Sequence, residues 1–238
     1  MKAIFSPGPS YHDPRVREVA GWVRIFDLFR EALEELDYEV FIPKVPPEMI
    51  DGSSTVAKIT SYDLYCAAQL PLDADLFLGP PGYSLAQMMK IRARGIRHVP
   101  VPGPECLMPL EKPALFLYVF NNADWYRDDM LAAEYQAAGR PYDLSPTWRW
   151  INQRAVELAD HIIAPSPFVK RTWSKGEFLV SSWKISIAFW GVDSQVFTPP
   201  EEEQPGFRVL FVGGDPIRKG LTYLLKAFNQ LPTQGDED

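Results

Sequence analysis

Residues 159–173 read ADHIIAPSPFVKRTW. The run from His161 to Ala164 is short and apolar, which predicts a buried strand. It stops at Pro165. Ser166-Pro167 then offers a hydroxyl for an N-cap and a ring that suits the first helical position, so a helix is predicted to follow at once. A strand passing through one tight turn into a helix is half of a parallel βαβ unit.

Towards the N-terminus the same alternation repeats. Ala3 to Ser6 is a short apolar segment halted by Pro7-Gly8-Pro9, and a polar loop runs from Pro7 to about Ala20. From Trp22 to Leu36 the residues Trp22, Ile25, Phe26, Phe29, Leu33 and Leu36 recur at helical spacing, with Arg24, Asp27, Arg30, Glu31, Glu34 and Glu35 elsewhere. Tyr38 to Ile42 and Asp75 to Leu78 predict strands, and Ser84 to Arg94 a helix ended by Gly95. His98 to Val101 and Ala114 to Phe120 predict further strands, and Trp125 to Ala138 and Thr147 to Ala159 helices. The expected fold class is α/β: a Rossmann-like parallel sheet with helices on both faces.

Towards the C-terminus, Ile185 to Phe189 predicts a strand and Gly191-Val192-Asp193 a turn. The stretch TPPEEEQPG from Thr198 to Gly206 has the composition of a linker. Beyond it, Arg208 to Val212 predicts a strand and Gly220 to Leu231 an amphipathic helix with Leu221, Leu224, Leu225, Phe228 and Leu231 on one face. The domain plan is therefore 1–198, a linker over 199–206, and the start of a second Rossmann-like domain over 207–238. One strand and one helix do not cover both faces of a parallel sheet, so a partial product is expected.

Composition narrows the function. In 238 residues, 46% are hydrophobic, 23% charged and 13% aromatic, a globular balance. The net charge of −7 argues against broad nucleic-acid affinity, which depends on Lys and Arg. The two cysteines, Cys66 and Cys106, build neither a disulfide framework nor a zinc site. With no run of about 18 apolar residues to span a bilayer, a cytoplasmic protein is expected, with peripheral membrane contact left open.

Three stretches carry a resemblance when taken together: ADHIIAPSPFVKRTW (159–173), KISIAFWGVDSQVFTP (184–199) and FRVLFVGGDPIRKGLTYLLKAF (207–228). In order and spacing they resemble the group 1, or family four, retaining glycosyltransferases of the GT-B fold. GWVRIFDLFREALEELDYEV (21–40) is similar to that family's first helix, and MLAAEYQAAG (130–139) to a segment found in part of the class. The resemblance implies that residues 1–198 are the acceptor-side half and that the nucleotide-sugar half begins after the linker. The implied reaction moves a sugar from a nucleotide-diphosphate sugar to an acceptor hydroxyl of a glycan, lipid or protein, with retention. No cofactor and no metal is implied, because basic side chains and helix N-termini stabilise the leaving diphosphate.

Site residues follow from the same resemblance. Lys219 is implied to contact the donor diphosphate, with Arg218 beside it, and Gly213 and Gly214 let backbone approach a phosphate closely. Gly21, opening the first helix, is implied to face that diphosphate. Where the family carries a His after the strand here spanning Ala114 to Phe120, this chain has Asn121-Asn122-Ala123-Asp124. Asn122 and Asp124 become the catalytic candidates, and altered specificity or lost activity stay as competing explanations. The E-x7-E pair of the family's donor site is not reached before the sequence stops, so this chain alone is expected to be an incomplete fragment that does not turn over.

Other residues are read from position alone. His12 lies in the loop after the first strand, at the edge where ligands of open parallel sheets bind. With Arg15 it is a candidate contact for acceptor or sugar, the alternative being a solvated loop. His161 and His98 sit on strands and are expected to be structural. Trp125, Tyr126, Tyr142, Trp148 and Trp150 form either an acceptor platform or ordinary core. The rival to an enzyme is a non-catalytic binding or scaffolding module derived from one, and a third option is an unrelated doubly wound ligand-binding protein.

Overall fold

The computed structural model describes residues 1–13, 15, 21–49, 56–71, 73–93, 97–99, 110–142, 145–175, 180–191, 194, 195, 197–199 and 206–231. Most of the expected linker, Val192-Asp193 of the expected turn, Gly95 and Cys106 lie outside the described residues. The chain divides into two compact units, residues 1–125 with 145–190 and residues 126–144 with 191–238.

The first unit is built on a six-stranded sheet in the order β2-β1-β3-β6-β7-β8, with every pairing parallel. The strands are β1 (Lys2–Phe5), β2 (Glu39–Phe41), β3 (Leu76–Gly79), β6 (Ala114–Tyr118), β7 (His161–Ala164) and β8 (Ile185–Ile187). Register places Ile4 beside Phe77, Phe77 beside Leu115, and Ile162 beside Ile185, so the apolar run at the centre of each strand is stacked across the sheet. Strand order reverses between β1 and β3, which makes their carboxyl ends the switch point of a doubly wound α/β sheet.

Helices cover both faces, as the alternation requires. On one face α1 (Gly21–Glu35) buries Phe26 and Leu33 against Ala3, Phe5, Leu78 and Tyr118. On the other, α3 (Leu85–Arg92), α5 (Pro146–Leu158) and α6 (Pro167–Ser174) bury Met88, Ile91, Ala155, Val156, Val169 and Trp173 against Ile4, Phe77, Leu117 and Ile162. The serine caps form as the sequence indicates: Ser166 Oγ accepts from Val169 N and Ser145 Oγ from Trp148 N, each at 3.2 Å. The carbonyl end of α5 is met by cations, with Arg92 Nη2 3.1 Å from Leu158 O and Lys184 Nζ 3.3 Å from Val156 O and Glu157 O.

The structure departs from the sequence reading in three places. Val56–Gln69 forms a helix, α2, that the apolar pattern does not announce. The segment expected as a strand at His98–Val101 is no part of the parallel sheet: β4 (Arg97–Val99) pairs antiparallel with β5 (Leu110–Lys112) as a separate ribbon, and Val101 lies outside the described residues. Arg208–Val212 takes no strand conformation, although the helix after it, α7 (Leu221–Phe228), forms. Extended backbone is held by ladder hydrogen bonds to a neighbour, and among the described residues no strand is paired with this stretch.

The second unit joins the later part of α4 (Asp124–Ala137) to the C-terminal segment through two tyrosine–carboxylate bonds. Tyr135 OH donates to Asp215 Oδ2 at 2.8 Å, and Tyr223 OH donates to Glu134 Oε2 at 2.7 Å. Among the described residues no helix is long and apolar enough to cross a membrane.

Candidate functional site

In the first unit the candidates lie at the carboxyl edge of the sheet. After β1 the chain turns through Gly8, whose φ of 91° favours glycine, into a 3-10 turn at Pro9–Tyr11. Tyr11 is buried, edge-on to Phe5 and Phe26, so this loop is anchored rather than solvated throughout. His12 is half-buried, with Nε2 3.4 Å from Tyr62 OH. Arg15 is exposed, and its guanidinium engages Asp13 bidentately, Nε to Oδ1 at 3.0 Å and Nη2 to Oδ2 at 2.8 Å. Asp13, itself buried, thus neutralises the charge that the sequence offers to a ligand.

Beneath this loop lies a polar constellation that sequence reasoning missed. Asp63 on α2 is buried and accepts from the Ala86 and Gln87 backbone N–H groups at 2.6 and 3.2 Å, capping the start of α3. Gln87 Nε2 lies 3.1 Å from Asp63 Oδ1, 2.9 Å from Ser6 Oγ and 3.0 Å from Tyr83 O. Burial pushes the Asp63 carboxyl above its ordinary value, opposed by the N–H donors of Ala86 and Gln87. Burial likewise raises Tyr62 well above the usual phenol value and lifts the Cys66 thiol to about 12, leaving both neutral. The arrangement fixes the β1 loop to α2 and α3.

The loop after β6 holds Asn122 and Asp124. Asn122 is half-buried, whereas Asp124 is buried and accepts from Asn152 Nδ2 at 2.6 Å. Helix α6 grips this loop: Thr172 Oγ1 accepts from Ala123 N at 3.0 Å, and Trp173 Nε1 donates to Asn121 O at 3.1 Å. The loop is thereby held in one backbone geometry, and the Asp124 carboxylate is committed to Asn152.

The aromatic window divides. Trp125 Nε1 donates to Thr172 O at 3.1 Å, which ties that indole to α6. Trp148 covers the turn after β3, where a methyl group on Gly82 would meet the indole at 2.1 Å, and its ring stands 5.5 Å from that of Tyr83. These two are packing residues. Trp150 is exposed.

The basic candidates of the second unit lie on the turn leading into α7. Gly213 and Lys219 are brought together, because a methyl group on Gly213 would come within 2.8 Å of Lys219 Cγ. Gly214 has open space around it. Asp215 Oδ1 accepts from Arg218 N at 3.1 Å, with Arg218 Nε 3.8 Å from Oδ2. That backbone bond, chiefly, holds the Asp215 carboxyl below its ordinary range. Arg218 therefore carries a counter-charge, while Lys219 is exposed and has no ion pair among the described residues. Gly21 begins α1 in the first unit.

No protein-family model matches this chain, and no curated protein sequence does.

Proposed function

We propose that this chain is a glycosyltransferase-type protein that binds a nucleotide-diphosphate sugar, with the acceptor side on the six-stranded sheet and the diphosphate contact on the turn at Gly213–Lys219. The observation that carries the reading is Lys219: an exposed ammonium without an ion pair among the described residues, lying against a glycine whose missing side chain makes room for it. A diphosphate is the ligand such a cation suits, since charge-assisted bonds to phosphate oxygens are among the stronger polar contacts. Support from the first unit is coarser. Its switch point and carboxyl-edge loops have the topology in which open α/β sheets take ligands.

The reaction class is transfer of the sugar to an acceptor hydroxyl, with positive charge at Lys219 offsetting the negative charge that develops on the departing diphosphate. Calorimetric titration with inorganic pyrophosphate, then with UDP-glucose and GDP-mannose, tests the contact. Lys219→Ala is expected to weaken binding about tenfold, the size of one lost charge-assisted bond. Unchanged affinity would remove Lys219 from the site.

A second reading, a binding module without turnover, is favoured by Asp124. Its carboxylate is buried against Asn152 rather than presented to a substrate. Release of free nucleoside diphosphate from a bound nucleotide sugar separates the two.

A further inference from the structure

Trp190 stands where the chain leaves the sheet. Ala188 N still bonds to Ala164 O at 2.9 Å, so the ladder beside β7 ends two residues before it, at the carboxyl edge. The Trp190 side chain is a large apolar plane left 48% exposed, which water does not favour. It is also supported from behind. Its ring lies 5.7 Å from Phe120, and Phe120 in turn lies 5.4 Å from Phe26 and 4.8 Å from Tyr118, both fully buried. A chain of rings therefore runs from the core to the surface and ends in an indole.

Two primary amides follow Phe120 directly. Asn121 is exposed and Asn122 half-buried, and neither side chain has a partner among the described residues. Their backbone is nonetheless fixed, because Thr172 and Trp173 hold the Ala123 N–H and the Asn121 carbonyl. An aromatic plane resting on Phe120, with two amides next to Phe120 in the chain on a held backbone, offers two chemistries, an apolar face and polar donors and acceptors. A pyranose ring has both: a C–H face that stacks on aromatic carbon and hydroxyls that bond to amides. A purely apolar partner would leave the amides unpaired on burial, at a cost.

We infer that Trp190, carried on Phe120, is the surface on which a pyranose ring stacks, with Asn121 and Asn122 bonding its hydroxyls. The inference deepens the glycosyltransferase reading by naming a specificity-determining aromatic for the sugar, and it requires neither Lys219 nor the diphosphate.

The test follows the Trp190 indole N–H cross-peak in the full chain, assigned by its loss in Trp190→Phe. Methyl glucoside, methyl mannoside and maltose are the probes, added without nucleotide. A saturable shift with at least one saccharide is expected. In the Trp190 variants, which lack that cross-peak, affinity is read from the backbone amide signals of Asn121 and Asn122, and Trp190→Ala weakens it roughly tenfold, as loss of a central aromatic anchor does. Trp190→Phe keeps it within about threefold, since a smaller ring still stacks. Asn122→Ala costs severalfold, and unchanged circular dichroism confirms that each variant is folded. If no saccharide moves the Trp190 signal while pyrophosphate still binds at Lys219, the platform is wrong and the diphosphate reading stands. If the signal moves but pyrophosphate does not bind, the platform stands as a carbohydrate site and the diphosphate reading fails. An affinity left unchanged in Trp190→Ala, read from the Asn121 and Asn122 amide signals, places the sugar elsewhere and overturns the inference.

Discussion

Residues 161–174 and residues 207–228 carry similar signals, an apolar run, a short turn and an amphipathic helix, and they have different surroundings. In the first, β7 lies between β6 and β8, and Ile162 and Ala164 are fully buried. In the second, Leu210 is 86% and Val212 78% exposed, no strand forms, and only the helix α7 is regular. An apolar strand pattern becomes a strand only where neighbours receive it. A helix satisfies its own hydrogen bonds, so α7 forms from local sequence, whereas a parallel strand depends on two neighbours for both its ladder and its burial.

The largest expected effect breaks this comparison at its strongest point. Ile162→Ala deletes a fully buried side chain between two strands and is expected to cost about 3 kcal/mol. Leu210→Ala, the same kind of truncation at an exposed position, stays within about 0.5 kcal/mol. Urea denaturation of both variants, read by circular dichroism, checks the contrast. A cost at Leu210 equal to that at Ile162 would mean that the second run is buried after all.

A smaller effect concerns how the two helices start. Helix α6 begins with a serine cap, whereas α7 follows Gly220 in the left-handed conformation with φ 75° and no side-chain cap. Ser166→Ala is expected to cost about 1 kcal/mol by orphaning the Val169 N–H. Faster amide exchange across the first turn of α6 is the local signature. Unchanged exchange there would show that the cap contributes nothing.

Much of the first unit was legible because its strands are short apolar runs closed by proline or glycine. Helix α2 was not, for a physical reason. Its buried positions Ile59, Tyr62, Asp63, Cys66 and Ala67 have helical spacing, yet the stripe contains a carboxylate. A charge counts as solvent-facing in any apolar pattern. Here it is buried because the Ala86 and Gln87 N–H groups, more than twenty residues away, receive it. The β4–β5 ribbon was hidden similarly, since one strand's partner is not written into its own residues.

The candidate site shows the same division. Gly213 and Lys219 were each named from the sequence, and their closeness, which was not, follows from the local turn between them. Commitment of Asp124 to Asn152 joins residues 28 apart and was not readable. Phe120 and Trp190 were each visible as aromatics, but their ring contact depends on strands β6 and β8 ending at the same edge of the sheet.

The smallest effect tests the neighbours of β7 through pH. His161 Nε2 lies 2.8 Å from Ser186 Oγ on β8, and burial, reinforced by the charges of Lys170 and Lys184, holds the imidazole below its ordinary value of 6.5. In the unfolded chain that restraint is gone. Below pH 6.5 the unfolded state therefore binds a proton that the folded state resists, and stability falls as pH drops from 6.5 through the folded value. Above 6.5 both states are neutral at this residue and the contribution is flat. His161→Gln keeps a polar side chain on the strand and removes the titration. Its loss of stability between pH 7 and pH 5, from urea midpoints, should be smaller than that of the unsubstituted chain. Equal losses would mean that the lysines and β8 do not act on His161, and with that the packed neighbourhood that distinguishes β7 from residues 207–212 would lose its electrostatic signature.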